Sequence, residues 1–175
     1  MGESEVQQAA GRDAVERFLS VARRFEEWAA RGTDQGIDAA QNGLRLIAQL
    51  YSAGLELPGF PDEVDPDFEK ALVSDAERLQ VFEHSARLPI QYYSEIFDPL
   101  PVPPDEEPVT GNLADDIADI FRDVVEGIRL FDRGQESEAV WKWVFGIHSH
   151  WGEHATSAMR ALFWCISSSD EGPLK

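Results

Sequence analysis

Apolar residues recur at helical spacing along most of the chain, and the clearest stripe lies between Leu113 and Asp132. At 3.6 residues per turn its members fall on an arc of about 100°, the width of a helix face packed against a core. The arc contains Leu113, Ile117, Ile120, Phe121, Val124, Ile128 and Phe131. Charged residues fall opposite, namely Asp115, Asp119, Arg122 and Glu126. The pattern predicts an amphipathic helix whose charged side faces solvent.

The first half of the chain shows the same periodicity more weakly. It predicts a helix over 13–31 that Gly32 ends, followed by a second helix that Thr33 or Asp34 can cap. Residues 1–12 are predicted to be a disordered acidic start.

Prolines divide the middle of the chain. A capping box over 74–77 predicts a third helix, and Pro89 suits the first turn of a short fourth one. The apolar residues at helical spacing in that fourth segment are Ile90, Tyr93 and Phe97. Residues 98–111 are rich in proline and acids and lack periodicity, so they are predicted to be an extended internal connection. No segment shows the pattern of a strand.

The last predicted helix, over 137–166, is apolar around most of its circumference, as expected of a helix at the centre of a fold. It carries four of the five tryptophans, Trp141, Trp143, Trp151 and Trp164, which are interpreted as packing residues. Gly152 is expected to weaken this helix by about 1 kcal/mol relative to alanine. The elements together predict an all-α single domain over 13–166, a bundle of about five to seven helices, with a flexible tail at 167–175.

Composition adds an unusual charge balance. The chain has 175 residues, with 33 acids against 15 bases and a formal net charge of −18. Nucleic acid and anionic membranes bind clustered Lys and Arg, so neither is an expected partner. The segment from Asp98 to Glu126 holds nine acids and one base, Arg122. It predicts either a solvated face or a docking surface for a basic protein partner.

The chain start lacks the basic and apolar regions of a signal peptide. Its longest apolar run, 161–166, is far shorter than the ~20 residues of a membrane span. Cys165 is the single cysteine, so no internal disulfide can form. These features predict a cytoplasmic protein.

Candidate chemistry is concentrated at residues 148–154. His150, Glu153 and His154 match the spacing of inverted zinc peptidases, in which two histidines bind the metal and the glutamate is a general base. A third protein ligand far downstream is missing from the sequence, and Glu153 falls on the polar stripe, so a peptidase is disfavoured. His148 is expected to point away from His150.

A second interpretation is a zinc, iron or manganese ion held by His150 and His154 with acids from another helix. Asp116 and Asp123 border the apolar arc of the preceding helix and could turn inward, and Glu153 is a further acid. The alternative is that both histidines lie at a helix seam and are hydrogen-bonded to neighbouring carboxylates or carbonyls, with no cofactor.

The residues also resemble a known family. The segments concerned are Trp141-x-Trp143, His150-Trp151-Gly152-x-His154-Ala155, Arg160-Ala161-Leu162, Leu113-Ala114-Asp115-Asp116 through Ile120-Phe121-Arg122-Asp123, and Tyr92-Tyr93 with Ile96-Phe97-Asp98-Pro99. They resemble the bacterial domain of unknown function 5063. This resemblance implies an all-helical bacterial protein and no particular activity.

Two functions therefore stand as predictions. The first is a non-catalytic acidic interaction module with a basic partner. The second is a metal-binding bundle protein, with a hydrolase as one form of it, that uses the pair His150 and His154.

Overall fold

The protein is described by a computed structural model, which covers residues 3–32, 35–68, 71–96 and 98–169. These residues form six helices and two short strands. In chain order the elements are α1 (Glu3–Arg31), α2 (Gly36–Leu55), α3 (Asp75–Ser85), β1 (Tyr92–Glu95), β2 (Val109–Asn112), α4 (Leu113–Asp132), α5 (Glu136–Ser149) and α6 (Trp151–Ser167). The predicted all-α single domain is confirmed, with a small hairpin added to it.

The N-terminal boundary differs from the prediction. Helix α1 begins at Glu3, so the predicted disorder over 1–12 is wrong for the part that the structure describes. A Cβ added at Gly11 would lie 3.8 Å from the side chain of Pro58, so the start of α1 passes close to the loop after α2. Gly32 ends α1 with a φ of 54°, as expected, because glycine adopts positive φ without strain. The predicted caps Thr33 and Asp34 lie outside the described residues, as do 170–175 of the predicted tail.

The segment after Pro89 is a strand, so its prediction as a helix is wrong. Strand β1 pairs antiparallel with β2, from Tyr92 opposite Asn112 to Glu95 opposite Val109. Pro89 and Pro99 leave too few residues between them for a stable helix. The side chains along β1 alternate between exposed and half-buried, as expected of a strand. Four residues of alternation are too short a signal to detect in a sequence. Phe97, the third member of the predicted helical stripe, lies outside the described residues.

Helix α4 runs through the middle of the domain and packs against α1, α3, α5 and α6. Trp143 and Trp151 are fully buried beside it. The indole N–H of Trp143 donates to the carbonyl oxygen of Val124 at 3.0 Å, and that of Trp151 donates to the carbonyl oxygen of Trp143 at 3.1 Å. Both are packing residues, as predicted, whereas the prediction is wrong for Trp164, whose side chain is 62% exposed.

The predicted single helix over 137–166 is broken at His150. Its φ of −155° and ψ of −83° lie outside the helical region, so α5 ends before it and α6 begins after it. At this break the backbone of Gly152 lies directly against the carbonyl group of Ile147. Apolar residues continue across the break without a change of period, which is why the sequence pattern predicted one helix.

Glu77 joins α3 to α4 and makes the fold sensitive to acid. Its carboxylate accepts from Arg129 and from the backbone N–H of Ser74, and these hydrogen bonds lower the pKa of Glu77 from 4.5 to about 2, with the contact to Arg129 as the largest cause. Because the pKa is lowered in the folded state, the stabilisation is present above pH 4.5 and is lost as the pH falls towards 2.

We therefore expect Glu77→Gln to lower the free energy of unfolding by about 1 kcal/mol at pH 7, and this difference should shrink below pH 4.5. Urea unfolding at several pH values measures it. The matched control is Glu83→Gln, an exposed position on the same helix. Identical pH profiles for the two variants would contradict the assignment.

Candidate metal centre

Four acids of α4 form a buried stripe rather than a solvated face. They recur at intervals of three and four residues, so they share one side of the helix. The stripe consists of Asp116, Asp119, Asp123 and Glu126, which are between 4% and 8% exposed. The sequence-based placement of Asp119 and Glu126 on the solvent side is therefore wrong, because basic and imidazole side chains of neighbouring elements cover them.

His154 and Asp116 form the first contact of the site. His154 lies in the first turn of α6, and its Nδ1 is 2.8 Å from Oδ1 of Asp116. The other carboxylate oxygen of Asp116 accepts a hydrogen bond of 2.6 Å from the hydroxyl group of Tyr93 on β1. Both oxygens of Asp116 are thus used, and the carboxylate fixes the orientation of the imidazole ring.

His150 and Asp123 form an equivalent contact two helical turns further along α4. His150 occupies the break between α5 and α6, and its Nδ1 is 2.8 Å from Oδ2 of Asp123. The ammonium group of Lys142 lies 3.9 Å from the other oxygen of Asp123 and 2.5 Å from the carboxylate of Glu126. Asp116 and Asp123, the acids that the sequence suggested could turn inward, each contact one of the histidines, and their role as metal ligands stays a prediction.

Asp119 lies between the two histidine–aspartate pairs. Its Oδ1 accepts a hydrogen bond of 3.1 Å from Arg78 and lies 3.3 Å from Arg122. Its Oδ2 is 3.8 Å from Nε2 of His154. One oxygen is therefore held by arginines, and the other faces the histidines.

Asp119, His150 and His154 together offer three ligand atoms that lie within 4.8 Å of one another. The two imidazole rings are close, with centroids 4.8 Å apart and planes at 71°. Because Nδ1 of each ring is engaged with an aspartate, Nε2 is the nitrogen available to an ion. Metal–ligand bonds of about 2.0–2.2 Å require ligand atoms about 3–4 Å apart, so only small side-chain rotations are needed.

The electrostatics of the site follow from these contacts. The hydrogen bond to Asp116 raises the pKa of His154, an effect that partial burial of the ring opposes. Burial, together with the hydrogen bond to Asp116, also raises the pKa of Tyr93, so its hydroxyl group stays a donor at neutral pH. The contact with Asp116 therefore favours the protonated form of His154.

The remaining candidates lie elsewhere. Glu153 and His148 are both exposed to solvent, so neither contributes to this cluster. Asp119, in contrast, was missed as a candidate. The spacing of acids along α4 was the signal that could have identified it, because residues 116, 119 and 123 share one helix face.

The acidic segment 98–126 is thus divided between two environments. Asp98 and residues 105–107 are exposed in the loop between β1 and β2, whereas the four acids of the stripe are buried. Docking of a basic partner stays a prediction, and it now depends mainly on the acids of that loop.

Comparison with known proteins yields a family and a fold. A family model described as a domain of unknown function, DUF5063, matches residues 10–167. The solved structure of protein BF1032 from Bacteroides fragilis is similar, with a TM-score of 0.72 and 20% sequence identity over 92% of this chain and 96% of that one. The comparison with curated proteins gave no match. Among the described residues, no helix combines the length and apolar character needed to cross a membrane.

Proposed function

Because the chain belongs to the DUF5063 family, whose description names no activity, we propose its function from the site itself. It binds a divalent transition-metal ion through His150, His154 and Asp119. The observation that carries the proposal is the pair of Nδ1–carboxylate contacts, each 2.8 Å long, which leaves Nε2 of both rings free of those aspartates in a cluster that also contains the carboxylate of Asp119.

Carboxylates make the same kind of contact with histidines that bind a metal ion in known metal sites. A histidine that binds a metal through one nitrogen usually donates the other N–H to a carboxylate, which fixes the tautomer and increases the basicity of the ligand. Here Asp123 and Asp116 supply that carboxylate to His150 and His154 respectively. A purely structural seam requires only one hydrogen bond per ring and has no need of the third carboxylate, Asp119, between them.

The ligand set indicates zinc or iron(II). Two imidazoles and one carboxylate bind catalytic zinc in some hydrolases and iron(II) in many oxygenases, and in both cases three protein ligands leave coordination positions open. At such an open position an ion acts as a Lewis acid on a bound water molecule or substrate. The side chains of His150 and His154 are partly exposed, which gives an ion access from solvent.

Elemental analysis of the protein purified without an affinity tag tests the proposal. We expect near-equimolar zinc or iron in the wild type and its loss in His150→Ala, because that variant removes one of three ligands. His148→Ala is the matched control, since this exposed histidine lies two residues away and outside the cluster. A folded wild-type protein that stays metal-free after incubation with zinc and with iron(II) contradicts the proposal.

A further inference from the structure

A cleft of about 520 Å³ opens beside the candidate metal centre. Its walls come from α4, from α5 and from the break between α5 and α6. The lining residues are Arg122, Asp123, Trp141, Lys142, Phe145, Gly146, Ser149 and His150. His150 belongs both to the cleft and to the ligand cluster, so a molecule in the cleft lies next to the ion.

One wall of the cleft is aromatic. Trp141 and Phe145 are one helical turn apart on α5, and their rings stack with centroids 4.9 Å apart and planes at 5°. Phe145 is 47% exposed, so a large apolar surface faces the opening rather than the core. Flat, rigid aromatic side chains of this kind bind planar apolar groups.

The cleft also contains an arginine with unused hydrogen-bond donors. Two cations, Arg122 and Lys142, line the cleft, and Lys142 is paired with the carboxylate of Glu126 at 2.5 Å, so Arg122 is the cation that can take an anion. Arg122 contacts Asp119 at 3.3 Å and Asp123 at 3.8 Å, which engages at most two of its roughly five N–H donors. Donors therefore remain for an anion.

We propose that this cleft binds a small monoanionic carboxylate with a planar aromatic body, the substrate class of the metal centre. The ring packs against Trp141 and Phe145, and the carboxylate points towards Arg122 and the ion. The inference rests on the proposed metal site for the role of the ligand as substrate, but the aromatic wall and the unused donors of Arg122 are independent of the ion.

Isothermal titration calorimetry with benzoate tests the inference, with acetate and benzamide as probes that lack the ring or the charge. We expect saturable binding of benzoate to zinc-loaded protein and at least about tenfold weaker binding of both other probes. Phe145→Ala and Arg122→Gln should each weaken benzoate binding at least about fivefold. Matched controls are Phe163→Ala, which removes an aromatic ring that is 49% exposed on α6, and Arg87→Gln, at an exposed position after α3.

Metal content measured on the same samples separates the two proposals. Benzoate binding by metal-free protein, weakened by Phe145→Ala, supports the cleft even where the metal proposal fails. Absence of saturable binding in both the zinc-loaded and the metal-free protein overturns the inference. Equal affinity of Phe145→Ala and Phe163→Ala overturns it as well.

Discussion

Gly152→Ala is expected to lower the free energy of unfolding by more than about 3 kcal/mol, a large part of the total stability of a domain. A Cβ at this position would lie 2.8 Å from the carbonyl carbon of Ile147 and closer still to its oxygen. Both atoms belong to the backbone, so relief requires movement of α5 relative to α6. That movement would separate His150 from His154.

The sign of the change in stability distinguishes a continuous helix from one that is broken at His150. In a continuous helix, alanine at 152 would stabilise the protein by about 1 kcal/mol, because alanine is the better helix former. At the observed break it destabilises the protein. Urea unfolding of Gly152→Ala measures the change, and Gly59→Ala is the matched control because a Cβ there meets no atom within 4 Å. A Gly152→Ala protein at least as stable as the wild type would contradict the break at His150.

The second large effect is expected from Asp119→Asn, which should weaken metal binding by at least about 100-fold. Loss of an outer-sphere partner at a metal site costs about 10–100-fold in affinity, so loss of a ligand should cost no less than the upper end of that range. The amide keeps the size of the side chain but removes the negative charge that faces His154 at 3.8 Å. Competition with a fluorescent zinc indicator measures the affinity.

Asp115→Asn is the matched control for this variant. Asp115 also accepts from Arg78, at 2.7 Å, but its side chain is half exposed and it does not belong to the ligand cluster. Any effect of a weakened contact with Arg78 is therefore common to both variants. Equal metal affinity of Asp119→Asn and Asp115→Asn would show that Asp119 is not a ligand.

Much of the fold could be predicted from periodicity, because a packed helix imposes its period on the sequence. The arc from Leu113 to Phe131 is an example, since each of its members lies on a buried or half-buried face of α4. Two features could not be predicted in this way. The break at His150 leaves the apolar period unchanged, and the hairpin of β1 and β2 depends on pairing across residues 96–108, which local patterns do not encode.

The meeting of His150 and His154 could also be predicted from spacing along the sequence. His150 and His154 are four residues apart, so they were expected to meet, and they do so even though one lies in a helix break and the other in a helix. Asp119 was placed on a solvated face because charged residues on a helix usually face water. Its burial depends on Arg78 of α3, whose contact with it is set by tertiary structure, whereas the contact with Arg122 is local to α4.

Asp123 and Asp116 hold the side chains of the two histidines through hydrogen-bond contacts that need no ion. Small zinc domains, in contrast, are unfolded without metal because the ion itself draws their ligands together. Here thirty-two buried apolar side chains among the described residues form one cluster that maintains the fold independently of the site. An ion that binds at the proposed site would therefore enter an already folded scaffold, and removal of that ion is expected to leave the fold intact.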